Sequence, residues 1–256
     1  MGPPNFMVAI ARLKLLHSVN RLLKYADDCN MLIPASAIAT TESELDHIRS
    51  WASTCNLKLN TSKSKEIIIQ GLAVGRVVLP PLVDGVERVD VLNVLGVALG
   101  VAITCRLRMD RHIDHVCTRA NQSLYAIKVL LAHGLSGERL YDVVRATTLA
   151  RMLYASSAWY GFANGAQRNR LNAVVRRLVR CRMLPRDQPS FENLCDRSDA
   201  VFFASILAYS DHVLYGLLPP IKVSGYELRK RAHNREIPRA DYFTRCGFIV
   251  RMLYKI

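Results

Sequence analysis

The pattern of hydrophobic and polar positions begins with two short apolar runs that meet at a pair of aspartates. Leu22 to Tyr25 and Cys29 to Ile33 flank Asp27 and Asp28, and this arrangement predicts a strand-turn-strand unit. A helix is expected next, because Thr41 and Glu44 have capping-box spacing ahead of a helical apolar stripe. The residues of that stripe are Leu45, Ile48, Trp51, Ala52 and Cys55.

Three further strand signals follow this helix. Glu66 to Gln70 is a buried-strand pattern, Asp84-Gly85 predicts a hairpin turn, and Asn93 to Leu99 predicts another strand. Helical spacing replaces these signals from about residue 105. The predicted helices span Asp110 to His133 and Glu138 to Leu153, with further helices starting near Gly165 and Ser198. The order of elements therefore predicts an α+β fold.

We divide the chain into four parts on this pattern. Residues 1–104 are strand-rich with one helix, and residues 105–162 and 163–218 are helical. Residues 219–256 follow Pro219-Pro220, and we expect them to form a basic, extended tail.

Composition adds an expectation about partners. The chain has 256 residues and a net charge of +14, from 35 Lys and Arg against 21 Asp and Glu. Such an excess favours an acidic partner, nucleic acid first, although an anionic membrane surface would also fit. We expect no membrane partner, because no apolar run approaches the ~18 residues of a membrane span. Seven cysteines without a CxxC pair argue against a disulfide framework and a classical zinc module.

The Asp27-Asp28 pair is the first candidate for chemistry. Two like charges ~4 Å apart repel by roughly 4 kcal/mol at an effective dielectric near 20, so something must offset the repulsion. A solvated Asp turn is one explanation and a divalent cation is the other. A two-metal phosphoryl-transfer site would need at least one further carboxylate. Residues 1–24 contain neither Asp nor Glu.

Two other groups of side chains raise alternatives. Lys63 and Lys65 are either ordinary surface lysines or lie beside a nucleotide triphosphate, where a lysine could assist departure of pyrophosphate. His112, His115 and Cys117 have spacing suggestive of zinc, but no second ligand cluster accompanies them. Packing of a helix against the core explains these three residues.

The stretch from Arg168 to Arg186 holds seven arginines and no acidic residue. Its apolar positions form one helical stripe, and several arginines project elsewhere. A solvated helix face is the common interpretation, but uncompensated self-repulsion favours contact with phosphates. The candidate backbone contacts are Arg168, Arg170, Arg176, Arg177, Arg180 and Arg182, with Arg229, Lys230 and Arg231 in a second cluster.

An ordered set of motifs resembles the reverse transcriptases of non-LTR (LINE-type, Jockey-like) retrotransposons. Tyr25-Ala26-Asp27-Asp28 matches their YxDD motif. The other matching segments are Gly2-Pro3-Pro4-Asn5-Phe6, LNTSKSKE at 59–66, Leu95-Gly96-Val97, HIDHVC at 112–117 and YASSAW at 154–159. Segments after residue 190 also resemble the C-terminal parts of such elements, so the similarity covers essentially the whole chain.

The resemblance implies an RNA-directed DNA polymerase, a nucleotidyltransferase of a mobile element. Residues 1–104 would be a partial palm with a primer-grip-like hairpin at Leu95 and Gly96, followed by thumb-like helices and a basic helical region. Asp27 and Asp28 would ligate Mg²⁺ (or Mn²⁺) and act in catalysis, and Tyr25, Ala26, Lys63 and Lys65 would lie near nucleotide or primer. The implied partners are an RNA template, a DNA primer and deoxynucleotide triphosphates, in the nucleus and cytoplasm.

The family pattern also places the fingers and the first catalytic Asp before the position of residue 1. We therefore expect the isolated chain to be a fragment that does not polymerise and that binds no metal tightly. A non-catalytic, basic nucleic-acid-binding module is the alternative.

Overall fold

A computed structural model describes residues 3–70, 79–94, 100–222 and 233–255. Within these ranges the fold mixes helices with short two-stranded sheets, as an α+β fold requires. The chain divides into two compact units, residues 1–92 and 93–256. All seven cysteines have free thiols.

The first unit contains the predicted hairpin and the predicted helix. Helix α1 (Pro3–Ala11) precedes strands β1 (Arg21–Tyr25) and β2 (Asp28–Leu32), which pair antiparallel. After a 3-10 segment (Ala35–Thr40) comes helix α2 (Thr41–Thr54), followed by a 3-10 turn (Thr61–Lys63) and strands β3 (Lys65–Glu66) and β4 (Glu87–Arg88). Strand β5 (Val91–Val94), in which the boundary between the units falls, forms a sheet with β6 (Val101–Thr104).

Two expectations for the first unit are wrong. The buried strand predicted at 66–70 ends at Glu66, and β3 pairs in parallel with β4 instead of continuing through the isoleucines. Ion pairs fix this pairing, since Arg88 Nε lies 2.6 Å from Glu66 Oε2 and Lys65 Nζ lies 2.8 Å from Glu87 Oε2. Asp84-Gly85 does form a turn, with Gly85 at φ 71°, but β4 after the turn pairs with β3 and so does not close the predicted hairpin.

The second unit is helical and contains the larger core. Its helices are α3 (Asp110–Ala132), α4 (Glu138–Val144), α5 (Ala150–Leu153), α6 (Ser156–Trp159), α7 (Gly165–Arg180), α8 (Phe191–Ala208), α9 (Tyr242–Cys246) and α10 (Phe248–Lys255). A π-helical segment (Arg145–Leu149) joins α4 to α5, so the helical stretch predicted from Glu138 to Leu153 is confirmed. The predicted starts of α3 and α7 are also confirmed, and α3 ends at Ala132, one residue before the predicted end.

The core of the second unit forms around the apolar faces of α3 and α7. Ile113 and Leu171 are fully buried, and Trp159 and Phe191 stack nearby with ring centroids 6.3 Å apart. Complete burial of side chains of this size stabilises the fold by roughly 1.5–3 kcal/mol each. The apolar stripe of α7 therefore fixes which arginines face outward.

Two boundaries in the second unit differ from expectation. Helix α8 begins at Phe191 and not near Ser198, because the Ser190 hydroxyl accepts a hydrogen bond from the Asn193 amide and caps the helix. Residues 242–255 form helices, whereas we expected an extended tail. The apolar side chains Met252 and Leu253 of α10 pack against Phe203 of α8, and this burial explains the helical conformation.

Candidate functional site

The Tyr25–Asp28 segment forms the tip of the β1–β2 hairpin. The antiparallel register runs from Arg21 opposite Leu32 to Tyr25 opposite Asp28, which leaves Ala26 and Asp27 as a two-residue loop. Ala26 has a left-handed φ of 51°. Tyr25 is 71% exposed, and Asp27 and Asp28 are exposed as well. The predicted strand-turn-strand tip is confirmed.

A lysine next to the motif attaches the hairpin to helix α1. The ammonium group of Lys24 donates hydrogen bonds to three carbonyl oxygens: those of Ile10 at 2.9 Å and Ala11 at 3.2 Å, at the end of that helix, and that of Leu13 at 3.0 Å, two residues beyond it. Because the last carbonyls of a helix lack partners within it, a cation at this end both satisfies and neutralises them. Lys24 thereby holds β1, one residue before the motif, in a defined position.

The segment that leads into the hairpin is held by a buried carboxylate. Glu44 of α2 is fully buried and accepts hydrogen bonds from the Leu16 and His17 amides and from Asn20 Nδ2, each at 2.9 Å. Desolvation alone would raise the pKa of Glu44, but these hydrogen bonds outweigh it and lower the pKa to about 2. The predicted capping box is therefore wrong: the N-cap of α2 is Thr40, and Glu44 binds a distant loop.

The charges at the tip also affect the neighbouring thiol. Partial desolvation raises the pKa of the Cys29 thiol, and the negative charges of Asp28 and Asp27 raise it further. The positive charge of Lys24 acts in the opposite direction. No hydrogen bond or ion pair engages either carboxylate within the described ranges. The two aspartates are thus accessible to a cation or a solvent-borne partner.

The hairpin fits a divalent cation only in part. Carboxylate oxygens are the ligands that Mg²⁺ and Mn²⁺ prefer, and Asp27 and Asp28 present them at the surface. A two-metal centre shares at least one further carboxylate between its ions. Among the described residues, no group of three or more His, Cys, Asp or Glu side chains could hold a metal ion. These residues do not by themselves make such a centre, and we derive no catalytic step from it.

The structure distinguishes the two candidate lysines. Lys65 forms the ion pair with Glu87 described above, whereas Lys63 is exposed in a 3-10 turn. In the part of the chain that the structure describes, no hydrogen bond or ion pair links either lysine to the hairpin. Other predicted site residues lie outside the described residues, namely Leu95, Gly96, Arg229, Lys230 and Arg231.

The candidate zinc ligands behave as parts of a packed helix. His112 and Cys117 are buried and His115 is exposed. His112 Nδ1 accepts a hydrogen bond from the Ala102 amide at 3.4 Å, and its ring meets the Trp159 ring edge-on at 4.8 Å. Burial, together with the charge of His115, lowers the pKa of His112 to about 4.

The arginines of the α7 region divide into two groups. Arg168 is bound internally: its Nε donates to the Ala163 carbonyl at 3.0 Å, and its guanidinium lies 5.0 Å from the centroid of the Tyr160 ring. Arg170 lies 2.7 Å from Asp114, whose hydrogen bond raises the pKa of the guanidinium. By contrast, Arg176, Arg180 and Arg182 are exposed, and their side chains form no hydrogen bond or ion pair with a described residue.

A basic groove lies between α3 and α7. Arg177 is exposed and donates to Asn121 Oδ1 at 3.0 Å, and the groove continues from this pair toward the C-terminal ends of both helices. Its volume is about 280 Å³. The lining residues are Asn121, Leu124, Tyr125, Lys128, Arg177, Arg180 and Cys181. We call these seven residues the α3–α7 groove.

Sequence analysis named only Arg177 and Arg180 of this groove as candidate contacts, and among the members that it missed are Tyr125 and Lys128. Both lie on α3, three residues apart, on the side away from the buried Leu124 and Ile127. The signal was present as an aromatic and a basic residue on the polar face of a helix. Its significance depends on α7 lying alongside, which helical periodicity does not reveal.

Comparisons with known proteins identify no relative: no family model, curated protein or solved structure matches the chain. None of the described helices is long and apolar enough to cross a lipid bilayer.

Proposed function

We propose that this chain belongs to an RNA-directed DNA polymerase of the non-LTR retrotransposon type. The parent reaction is template-directed addition of deoxynucleotides to a primer 3′-hydroxyl. The observation that carries the proposal is the Tyr25-Ala26-Asp27-Asp28 sequence at the exposed tip of an antiparallel hairpin. A polymerase needs its carboxylates accessible to the phosphates of substrate and primer, and this hairpin presents two of them.

The surroundings of the hairpin support a role that needs a fixed position. Lys24 attaches β1 to the end of α1 and to the residue Leu13 after it through three carbonyl oxygens, and Glu44 holds the loop before β1. Side chains that orient reacting groups must be held to within a fraction of an ångström, so a supported hairpin suits catalysis better than a free one. In the complete enzyme, Asp27 and Asp28 would contribute to holding Mg²⁺.

The test is template-directed incorporation by the complete reading frame that encodes this chain, with Asp27→Asn as the variant. The substitution removes a charge without changing the shape of the side chain, so we expect incorporation to fall at least 100-fold. Asp46→Asn is the matched control, because Asp46 is exposed on α2 and, among the described residues, pairs only with Arg49. An Asp27→Asn enzyme that keeps its activity would exclude a catalytic role for the hairpin.

The second candidate function is a non-catalytic nucleic-acid-binding module. The observation that favours it is the set of exposed, unpaired guanidinium groups on α7, at Arg176, Arg180 and Arg182, within the described residues. If four cations contact phosphates, log affinity falls with log salt at a slope of about −2.8 on single strands and about −3.6 on duplexes. Salt-dependent binding by a complete reading frame that never incorporates nucleotides would favour this candidate.

A further inference from the structure

The helices α3 and α7 run parallel in a constant register. Asp110 Oδ1 accepts a hydrogen bond from Gln167 Nε2 at 2.6 Å, Asp114 pairs with Arg170 at 2.7 Å, and Asn121 accepts one from Arg177 at 3.0 Å. Partners in these pairs are 56 or 57 residues apart in sequence. The two helices therefore present paired side chains along one continuous seam.

The first half of this seam contains carboxylates and the second half contains none. Asp110 and Asp114 lie at the N-terminal end, where they face Gln167 and Arg170. From residue 121 onward α3 contains no acidic residue, and α7 contains none at all. Lys128, Arg177 and Arg180 thus gather at the C-terminal end of the seam without a carboxylate from either helix. A cluster of this kind attracts phosphates.

An aromatic ring lies among these cations. Tyr125 is 76% exposed, although Leu124 beside it is buried in the core. Within the described chain its hydroxyl makes no hydrogen bond, and its ring packs against no other aromatic ring. Burial in the fold therefore does not explain this ring, whereas a base stacked on its face would.

We propose that the α3–α7 groove binds a single-stranded polynucleotide, with one base stacked on Tyr125 and phosphates on Lys128, Arg177 and Arg180. This proposal deepens, and rests on, the nucleic-acid-binding function proposed above. At about 280 Å³ the groove is small for enclosing a nucleotide but suits one planar base against its wall. Only an unpaired strand offers free base faces, since the bases of a duplex are already stacked within it.

These contacts also predict which features of a polynucleotide have little effect on its affinity for the groove. Phosphates and base faces are common to RNA and DNA and to all four bases, so neither sugar nor sequence should matter much. We expect affinities for an unstructured 12-nucleotide RNA and the corresponding single-stranded DNA to agree within about threefold. A duplex of the same length should bind through charge alone.

The experiment measures binding of these three oligonucleotides by fluorescence anisotropy across a salt series. Tyr125→Leu should weaken single-strand binding about tenfold or more, leave duplex binding unchanged and leave the salt slope unchanged, because the ring carries no charge. Lys128→Gln with Arg180→Gln should reduce the single-strand salt slope by about 1.4. The matched controls are Tyr209→Leu and Arg139→Gln, which alter exposed residues outside the groove.

Each alternative outcome has a definite meaning. If Tyr125→Leu binds single strands as tightly as the unaltered chain, or loses duplex binding equally, the stacking proposal is overturned. If binding by the unaltered chain is salt-dependent all the same, the nucleic-acid function stands without this groove. If no oligonucleotide binds, both the groove proposal and the proposed nucleic-acid-binding function fail. Loss of binding to vesicles containing phosphatidylserine in the same variants, without loss on oligonucleotides, would assign the groove to a membrane surface instead.

Discussion

Replacing Gly161 by alanine should destabilise the second unit severely, because a buried ion pair occupies the space that a Cβ would need. A Cβ at this position would lie closer than 3.0 Å both to Nη1 of Arg251 and to the carbonyl oxygen of Cys246. The arginine can retreat, but the carbonyl oxygen is backbone at the end of α9 and cannot move without shifting that helix. Gly161 is itself buried, so no displacement toward solvent is open to it.

The magnitude follows from what Arg251 does. Its Nη2 lies 2.6 Å from Oδ2 of Asp199, whose side chain is 2% exposed, and its Nη1 donates to the Cys246 carbonyl at 3.1 Å. The Ser157 hydroxyl also donates a hydrogen bond to Asp199, at 2.6 Å. Overpacking alone costs about 1–3 kcal/mol, and leaving a buried carboxylate without its partner costs about 3–5 kcal/mol. If the pair opens, the midpoint of thermal unfolding should fall by about 6–20 °C.

The assay can isolate the second unit. The chain has two tryptophans, and Trp159 is fully buried two residues from Gly161. In a Trp51→Phe background, tryptophan fluorescence during heating therefore reports unfolding of this unit. Gly165→Ala is the matched control, because nothing lies within 4 Å of its added Cβ and the residue starts a helix. We expect that control to be neutral or stabilising by up to about 1 kcal/mol.

A double-mutant cycle separates the two contributions. In an Arg251→Ala background the guanidinium is gone, so Gly161→Ala should cost less than it does in the unaltered chain, with the Cys246 clash remaining. Equal losses from Gly161→Ala and Gly165→Ala would refute the reasoning, since the close approach of Arg251 and Cys246 to position 161 would then have no energetic consequence.

Two pH-dependent predictions follow from the buried groups of the two units. The folded-state pKa of Glu44 is lowered from its ordinary 4.5 to about 2, so its contribution of about 3 kcal/mol is complete above pH 4.5 and is lost as the pH falls toward 2. Glu44→Gln should remove that part of the acid dependence, as seen in Trp51 fluorescence, and an unchanged profile would contradict the assignment. The pKa of His112 is lowered from 6.5 to about 4. Its contribution to the stability of the folded state should therefore be complete above pH 6.5 and be lost as the pH falls to 4. An NMR titration of its ring with a midpoint above 6 would show that the ring is not desolvated.

The helices and the hairpin could be predicted because their signals are local. The hairpin followed from two short apolar runs on either side of an Asp pair that favours a turn. Period-3.6 patterns in residues 110–132 and 165–180 indicate which face is buried, and burial of those faces determines the two helices. The outward direction of Arg176 and Arg180 followed from the same pattern, because Leu171, Val175 and Leu178 occupy the opposite face.

The features that could not be predicted depend on contacts between distant segments. Glu44 has the spacing of a capping residue, yet the Leu16 amide 28 positions upstream competes successfully for its carboxylate. The isoleucines at 67–69 have high strand propensity, but a strand needs a partner, and β4 offers one only to Lys65 and Glu66. Residues 242–255 are helical because they bury apolar surface against α8, and the sequence of this segment alone does not show that contact.

The same distinction separates stability from function in this chain. The groups with the largest pKa displacements are Glu44, His112, Tyr160 and Cys195, and they owe these displacements to burial or to internal hydrogen bonds. Perturbed pKa values often mark active sites, but structural networks perturb them as well, and here the buried partners identify such networks. The proposed functions rest instead on exposed groups, namely the hairpin carboxylates and the side chains of Tyr125, Lys128 and Arg180 in the α3–α7 groove. Substitutions of these side chains should change activity or binding while leaving the free energy of unfolding within about 0.5 kcal/mol of the unaltered chain. The reason is that exposed side chains with few internal partners contribute little to the folded state.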